Sequence, residues 1–244
     1  MNSQNYPNTI INLKTVFLKY FIPLWLLLWH GWPDIAAAYR EQVQVLAAER
    51  AYLQQLYVEQ EGKGQKQELE EIARQHLYSA LTARLFPFWY GTPWDFNGTT
   101  ATPQKGKIAC GYFVTTLLRD AGFNLERSKL AQQSSEKIIR TLVSNDHIVR
   151  LNKLTMEDFV NAMRKMGNGL YLVGLDTHIG FLLVNGSDLR FIHSSYSYWG
   201  GVKSEPVWQC KVLLKSRFRV VGKLLSDEQT IKQWLLNKKF TTVL

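Results

Sequence analysis

Several strands are predicted in succession in the second half of the chain, and this feature constrains the fold most. Each run is rich in aliphatic, β-branched and aromatic residues and lies between turn residues, a pattern typical of strands. Because the runs come one after another and follow helical patterns, they favour an antiparallel sheet in an α+β fold over a parallel α/β sheet. The predicted strands cover residues 170–175, 178–184, 187–194, 207–214 and 218–224.

Two of these strands flank Asn185-Gly186, a dipeptide that is a strong hairpin signal. With this dipeptide as a two-residue turn, Val184 pairs with Ser187. The same register places His178 directly opposite His193, with Cβ atoms roughly 4.5–5.5 Å apart on one face of the sheet. One imidazole could then orient the other. Two unrelated sheet histidines are the alternative, which the shared face disfavours.

A helix is predicted across residues 108–121, with Cys110 in its first turn and Gly122 at its end. The first turn offers unpaired backbone N–H groups and the positive end of the helix dipole, and both favour thiolate. Cys110 is therefore a candidate nucleophile, and a small buried core cysteine is the alternative. Cys210 lies in the predicted strand 207–214. The two cysteines could pair in an oxidising compartment, but a catalytic Cys110 requires the unpaired arrangement.

These residues resemble the NlpC/P60 family of cysteine peptidases. The similarity covers about residues 86–205 and keeps the family's order of Cys, His and His along the chain. The residues that carry the similarity are Cys110-Gly111, Leu118, Ala121-Gly122, Leu125, Arg127, Gln132, His178-Ile179-Gly180-Phe181 and Phe191-Ile192-His193-Ser194.

The resemblance implies a papain-like core, in which the nucleophile helix packs on an antiparallel sheet. It also implies a triad that hydrolyses peptide or amide bonds, typically in bacterial cell-wall peptides. In that triad Cys110 is the nucleophile, His178 the base and His193 the polar third member.

The sequence departs from the family pattern at three positions. The family commonly has Asp before the cysteine and Ser after it, whereas this chain has Ala109 and Gly111. The family's Tyr before the cysteine is best matched by Trp94, whose indole cannot replace a phenol in hydrogen bonding. The resemblance therefore supports the assignment of the triad more directly than the assignment of the substrate.

Two further residues are candidates for the site. Gln104 lies six residues before Cys110, the spacing of the oxyanion-hole glutamine in papain-like proteases, and the backbone N–H of Cys110 is a second oxyanion donor. Asp176 lies two residues before His178 and could bias a histidine tautomer or bind a cationic group. A solvated strand end is the alternative for Asp176.

Residues 1–38 have the pattern of a secretory signal peptide. Lys14 and Lys19 precede an apolar run over 21–29, and Ala36-Ala37-Ala38 provides a small-residue cleavage site. The run is shorter than the roughly 18–20 residues that span a bilayer, and an uncleaved anchor is the alternative. The sequence therefore predicts a secreted or periplasmic protein that contacts the membrane only through this segment.

The remainder of the chain is predicted as a helical hairpin over 39–85 and a catalytic domain over 86–244. Apolar residues at helical spacing cover 39–60 and 65–85, and Gly62-Lys63-Gly64 is the predicted turn. Packing on the catalytic core is the expected use of the hairpin, and a separate partner-binding element is the alternative.

The net charge of +9 favours an anionic partner. The basic residues are scattered, however, and form no nucleic-acid motif, so no nucleic-acid partner is expected. The chain has no Cys/His cluster at zinc spacing, and neither a metal nor a cofactor is expected.

Together these observations predict a cysteine hydrolase that acts on a peptide or amide substrate. Peptidoglycan fragments are the substrate that the resemblance implies. Two alternatives remain open: a papain-like module with an inactive triad that binds wall peptides or a protein partner, and an enzyme that transfers the acyl group to an acceptor other than water.

Overall fold

The computed structural model describes residues 34–60, 65–197 and 200–243, and six strands in them form one antiparallel sheet. Residues 1–33 of the predicted signal peptide and the predicted turn Gly62-Lys63-Gly64 lie outside the described residues. The strands are β1 (Ile148–Arg150), β2 (Gly169–Leu175), β3 (Ile179–Asn185), β4 (Asp188–Ser195), β5 (Gly201–Pro206) and β6 (Arg219–Gly222). Their order in the sheet is β1-β6-β2-β3-β4-β5, which leaves β1 and β5 at the edges.

Helices pack on the sheet, and the predicted α+β class with an antiparallel sheet is confirmed. The helices are α1 (Ile35–Glu59), α2 (Lys66–Ser79), α3 (Phe86–Trp89), α4 (Cys110–Asp120), α5 (Arg127–Ala131), α6 (Ser135–Leu142), α7 (Met156–Met166), α8 (Lys211–Lys215) and α9 (Glu228–Leu235). A π-helical turn, Ala80–Leu85, connects α2 to α3, and a 3₁₀ turn, Asn145–His147, precedes β1. Thr155 caps α7, because its Oγ1 accepts from the backbone N–H of Asp158.

Both faces of the sheet are buried, and the alternation of side chains along β2 shows why. Leu170 and Leu172 belong to a core that includes residues of α1, α2, α4 and α6. Tyr171 and Val173 point to the opposite face, where they pack with α7 and α8. The near-continuous apolar run of β2 follows from this burial on both faces.

The N-terminal helices α1 and α2 run antiparallel and belong to the same compact unit as the sheet. Tyr57 on α1 donates a 2.7 Å hydrogen bond to Glu70 on α2. Tyr39 on α1 donates a 2.7 Å hydrogen bond to the buried Asp120 at the end of α4. No helix in the described ranges is both long enough and apolar enough to cross a bilayer.

The prediction of a strand over 207–214 is wrong. The chain turns after Pro206, where the N–H groups of Gln209 and Cys210 both point to the Pro206 carbonyl, and α8 follows. The fully buried side chains are Val207, Cys210 and Leu213, which recur every three residues as helical turns require. The true strand, β5, lies just before this segment, and Cys210 is therefore not a strand residue.

The predicted register between β3 and β4 is also wrong. Asn185 pairs with Asp188, so the turn consists of Gly186 and Ser187, and Val184 pairs with Leu189. Gly186 has φ of 57°, which fits the turn type with glycine at its first central position. The pairing is displaced by two residues from the prediction. Because side chains alternate with a period of two, this displacement preserves which residues share a face.

Two helices meet near the nucleophile candidate without merging: α5 ends at Ala131, and the non-helical Ser134 precedes α6. The last helix, α9, begins at Glu228, and its cap is Asp227, whose carboxylate accepts from the N–H of Gln229.

Candidate active site

Cys110 is the first residue of α4, as predicted, and two contacts fix its position. Ser194 at the end of β4 donates a 2.7 Å hydrogen bond to the carbonyl of Ile108. Gly111 is so close to α5 that a Cβ atom there would lie 2.3 Å from the Ala131 carbonyl oxygen. This contact excludes any side chain at the position that follows the cysteine, which explains why Gly111 stands where the resembling family has Ser.

Burial controls the ionisation of Cys110. It raises the pKa of the thiol, and backbone N–H groups of Ile179, Gly111 and Cys110 itself oppose the effect without overcoming it. The backbone N–H groups at the helix N-terminus favour thiolate as expected, but desolvation outweighs them, so the resting Cys110 is a neutral thiol. A neutral thiol needs a base to become nucleophilic.

His178 and His193 are in direct contact although they are not opposite each other in the sheet. His178 lies immediately before β3 and His193 lies within β4, and the distance from His178 Nε2 to His193 Nδ1 is 2.7 Å. The two rings are nearly perpendicular. A Cβ at Gly180 would lie 2.8 Å from the His193 Cβ and 2.7 Å from the Phe191 ring, so the absence of a side chain at this position leaves room for the pair.

His193 is hydrogen-bonded to a carboxylate that was not predicted from the sequence. His193 Nε2 lies 2.9 Å from Oε1 of Glu205 on the edge strand β5, and Lys203 Nζ lies 2.9 Å from Oε2 of the same carboxylate. Burial raises the pKa of Glu205, but the hydrogen bonds from His193 and Lys203 outweigh it and lower the pKa to about 2. Glu205 is therefore ionised at neutral pH and can only accept hydrogen bonds.

Both imidazoles are neutral at neutral pH. Burial lowers the pKa of His178 well below its ordinary value, and the proximity of His193 lowers it further. Burial also lowers the pKa of His193, although Glu205 opposes the effect. A neutral imidazole has one N–H and one bare nitrogen, so each ring must adopt one of two tautomers.

The hydrogen bonds determine these tautomers one after the other, starting from Glu205. Because the Glu205 carboxylate only accepts, the proton of His193 lies on Nε2 and its Nδ1 is bare. The 2.7 Å contact then requires His178 to donate from Nε2. The Nδ1 of His178 is consequently bare and basic. We call the chain of Glu205, His193 and His178 the tautomer relay.

Two cavities open beside Cys110 and His178. The larger has a volume of about 710 Å³ and is lined by Trp94, Phe96, Tyr112 and Tyr196 as well as by the cysteine and the histidine. The smaller has a volume of about 340 Å³ and is lined on its polar side by Ser135, Glu136 and Asp176. Cys110 and His178 line both cavities, so a ligand in either cavity can reach them.

The other predicted site residues lie in different surroundings. Trp94 lines the larger cavity, with its ring centroid 6.1 Å from that of Tyr196. Asp176 lines the smaller cavity, but its carboxylate accepts from the Ser216 hydroxyl and the Arg217 N–H. The exposed Gln104 is directed elsewhere, since its amide donates to the carbonyls of Phe88 and Tyr90.

Comparisons with known proteins add no family to this description. No family model matches the chain, no curated protein is significantly similar to it, and no solved structure gives a significant match. The similarity to the NlpC/P60 family therefore stays a prediction that rests on the residues quoted above.

Proposed function

We propose that this protein is a cysteine hydrolase with a papain-like core that cleaves an amide bond, with Cys110 as nucleophile and His178 as base. The observation that carries the proposal is the tautomer relay, which leaves a bare Nδ1 on His178, the histidine that lines two cavities together with Cys110. A purely structural pair of histidines does not need a half-buried carboxylate that fixes both tautomers.

In the proposed reaction the Cys110 thiol adds to the amide carbonyl while its proton passes to Nδ1 of His178. The resulting imidazolium donates from Nε2 to His193, which donates in turn to the ionised Glu205, so the new positive charge is stabilised through the relay. The N–H of Cys110, at the start of α4, stabilises the oxyanion. His178 then protonates the leaving amine, and water hydrolyses the acyl-enzyme.

The proposed substrate is a peptide, and the resemblance to NlpC/P60 enzymes favours fragments of bacterial cell-wall peptides. The aromatic side chains of Trp94 and Tyr196 in the larger cavity supply apolar surface for such a ligand, and Phe96 beside them is 80% exposed. A secreted or periplasmic location, proposed from the N-terminal sequence alone, is the compartment in which this substrate occurs.

One observation favours a second candidate function, a binding module with an inactive triad. Burial raises the pKa of the Cys110 thiol, and a neutral buried cysteine is inert unless a base activates it. In this alternative the two cavities hold the same peptides without cleaving them.

Incubation with purified peptidoglycan fragments, followed by mass spectrometry of the products, separates these functions. We expect the wild-type protein to yield fragments that have gained one water, and Cys110→Ser and His178→Ala to slow cleavage by at least about 100-fold. Fragments that bind equally to the wild-type protein and to Cys110→Ser, and emerge uncleaved from both, would establish the binding module instead. An acyl transferase would be recognised by products joined to an added amine.

A further inference from the structure

Three metal-ligand side chains converge behind the histidine pair. His193 Nε2, Glu205 Oε1 and Cys210 Sγ all lie within 4.8 Å of one another. The sulfur is 3.8 Å from His193 Nε2, and the carboxylate oxygen is 2.9 Å from the same nitrogen. The residues come from β4, from β5 and from the turn before α8, so their spacing in the sequence matches no zinc motif.

The separations approach those of a tetrahedral zinc site. With Zn–N and Zn–O bonds of about 2.0–2.2 Å and a Zn–S bond of about 2.3 Å, neighbouring ligand atoms lie about 3.3–3.6 Å apart. The observed distances of 2.9 and 3.8 Å bracket these values. A displacement of the Glu205 side chain by about half an ångström lengthens the distance from His193 Nε2 to Glu205 Oε1 to that of a tetrahedral edge. Glu205 has room for it, because its side chain is 19% exposed and β5 is an edge strand.

The charges also suit a divalent cation. His193 and Cys210 are fully buried, and a buried ion is tolerated only where its charge is compensated. Zn²⁺ bound by one thiolate, one carboxylate and one neutral imidazole has no net charge. Lys203 contacts Oε2 of Glu205 and leaves Oε1 for the metal. Three protein ligands leave a fourth position for water.

We propose that His193, Glu205 and Cys210 form a zinc-binding site and that zinc bound there switches the tautomer relay off. Binding releases the Nε2 proton of His193 and the thiol proton of Cys210 to solvent. His193 then takes a proton on Nδ1 from Nε2 of His178, and His178 takes one from solvent on Nδ1. The base that Cys110 needs is thereby protonated without any change in the charge of His178. This inhibition rests on the proposed hydrolase function, whereas the metal site does not.

Binding is tested on chelator-treated full-length protein that carries Cys110→Ser, which removes the other cysteine as a ligand. Zn²⁺ is titrated by calorimetry, and Co²⁺ is followed by its thiolate charge-transfer absorption. We expect one Zn²⁺ per chain and a sulfur-to-cobalt band. The additional changes Cys210→Ala and Glu205→Gln should each weaken zinc binding by at least about 10-fold, and Cys210→Ala should abolish the band.

The matched control is His147→Gln, which removes a histidine next to the opposite edge strand, β1, and should leave the zinc affinity unchanged. Absence of zinc binding, or an affinity that neither Cys210→Ala nor Glu205→Gln changes, overturns the site. Inhibition is then measured in the wild-type protein by comparing, with and without zinc, the rate at which an activated ester acylates Cys110. If zinc binds with the expected ligand dependence but leaves this rate unchanged, the site stands and its link to the relay is overturned.

Discussion

Each imidazole of the tautomer relay is held in a single protonation state by its neighbour. His178 is 3% exposed and His193 is fully buried, so water has little access to the two nitrogens that join the rings. Glu205 provides the only fixed charge that contacts either ring in the described part of the chain. The direction of every hydrogen bond in the relay therefore depends on this carboxylate, which makes Glu205 a positioning residue.

The lowered pKa of His178 predicts how the rate of the proposed reaction depends on pH below neutrality. A free imidazole loses its basic form as the pH falls through about 6.5. Because the pKa of His178 is well below this value, we expect the rate of Cys110 acylation by an activated ester to stay constant as the pH falls through 6.5 and to decline only at lower pH. The rate is measured by mass spectrometry of Cys110, with Cys110→Ser as the blank. A decline centred at or above pH 6.5 would contradict a neutral, buried base.

At the scale of single elements, the hairpin of β3 and β4 shows what the sequence could predict. The turn signal and the alternation of side chains were sufficient to place His178 and His193 on one face. They did not fix the register, because Asn185 and Ser187 can each occupy either a turn or a strand position. Diagonal neighbours on one face lie roughly 7–8 Å apart, a distance that two imidazoles can bridge.

Strand β5 shows where sequence reasoning failed. Its sequence is Gly-Val-Lys-Ser-Glu-Pro, in which Val202 is the only fully buried large side chain. An edge strand needs little apolar character, so its periodicity is weak. Glu205 was missed together with its strand. The helical spacing of Val207, Cys210 and Leu213 was the available signal that the apolar segment after Pro206 is not the strand.

Gly180 in β3 should be essential for the contact between the two histidines. We expect Gly180→Ala to destabilise the protein by about 1–3 kcal/mol, because the added methyl group overlaps the Phe191 ring and the His193 Cβ. Displacement of His193 should also slow the acylation of Cys110. Urea unfolding and the acylation rate measure the two effects.

Gly186→Ala in the turn of the same hairpin is the matched control. A Cβ there meets nothing within 4 Å, but φ of 57° disfavours any side chain, at a cost of about 1 kcal/mol. This variant should lose stability and retain the acylation rate. If Gly180→Ala acylates Cys110 as fast as Gly186→Ala does, the close approach at Gly180 does not support the relay.

At the scale of the whole molecule, one continuous core joins the N-terminal helices to α4, the helix that carries Cys110. Leu53 of α1, Leu77 of α2 and Leu117 of α4 are all fully buried in it. The α+β class and the shared face of His178 and His193 were predictable because they depend on local periodicity. The packing of α5 on Gly111 and the approach of Glu205 to His193 are contacts between separate elements, which the periodicity within one element does not reveal.

Burial of His76 in the core should make the stability of the fold sensitive to acid. His76 on α2 packs near Trp234, and burial lowers its pKa to about 4. Below about pH 6.5 the unfolded chain binds a proton at this histidine and the folded protein does not, so stability falls as the pH decreases from 6.5 to 4, by about 1.4 kcal/mol per pH unit. We expect His76→Gln to reduce the decrease in the free energy of unfolding between pH 7 and pH 5, measured in urea. An identical decrease in the variant would contradict the assigned pKa.

The tautomer of His178 tests the central claim most directly. It is measured by two-bond proton–nitrogen correlation spectra of protein labelled at the histidine ring nitrogens, at neutral pH. We predict a proton on Nε2 of both His178 and His193 and a bare Nδ1 on His178. Glu205→Gln should disturb this pattern, and Asp176→Asn should preserve it because Asp176 is bound by Ser216 and Arg217. A proton on Nδ1 of His178 in the metal-free wild-type protein would contradict the relay.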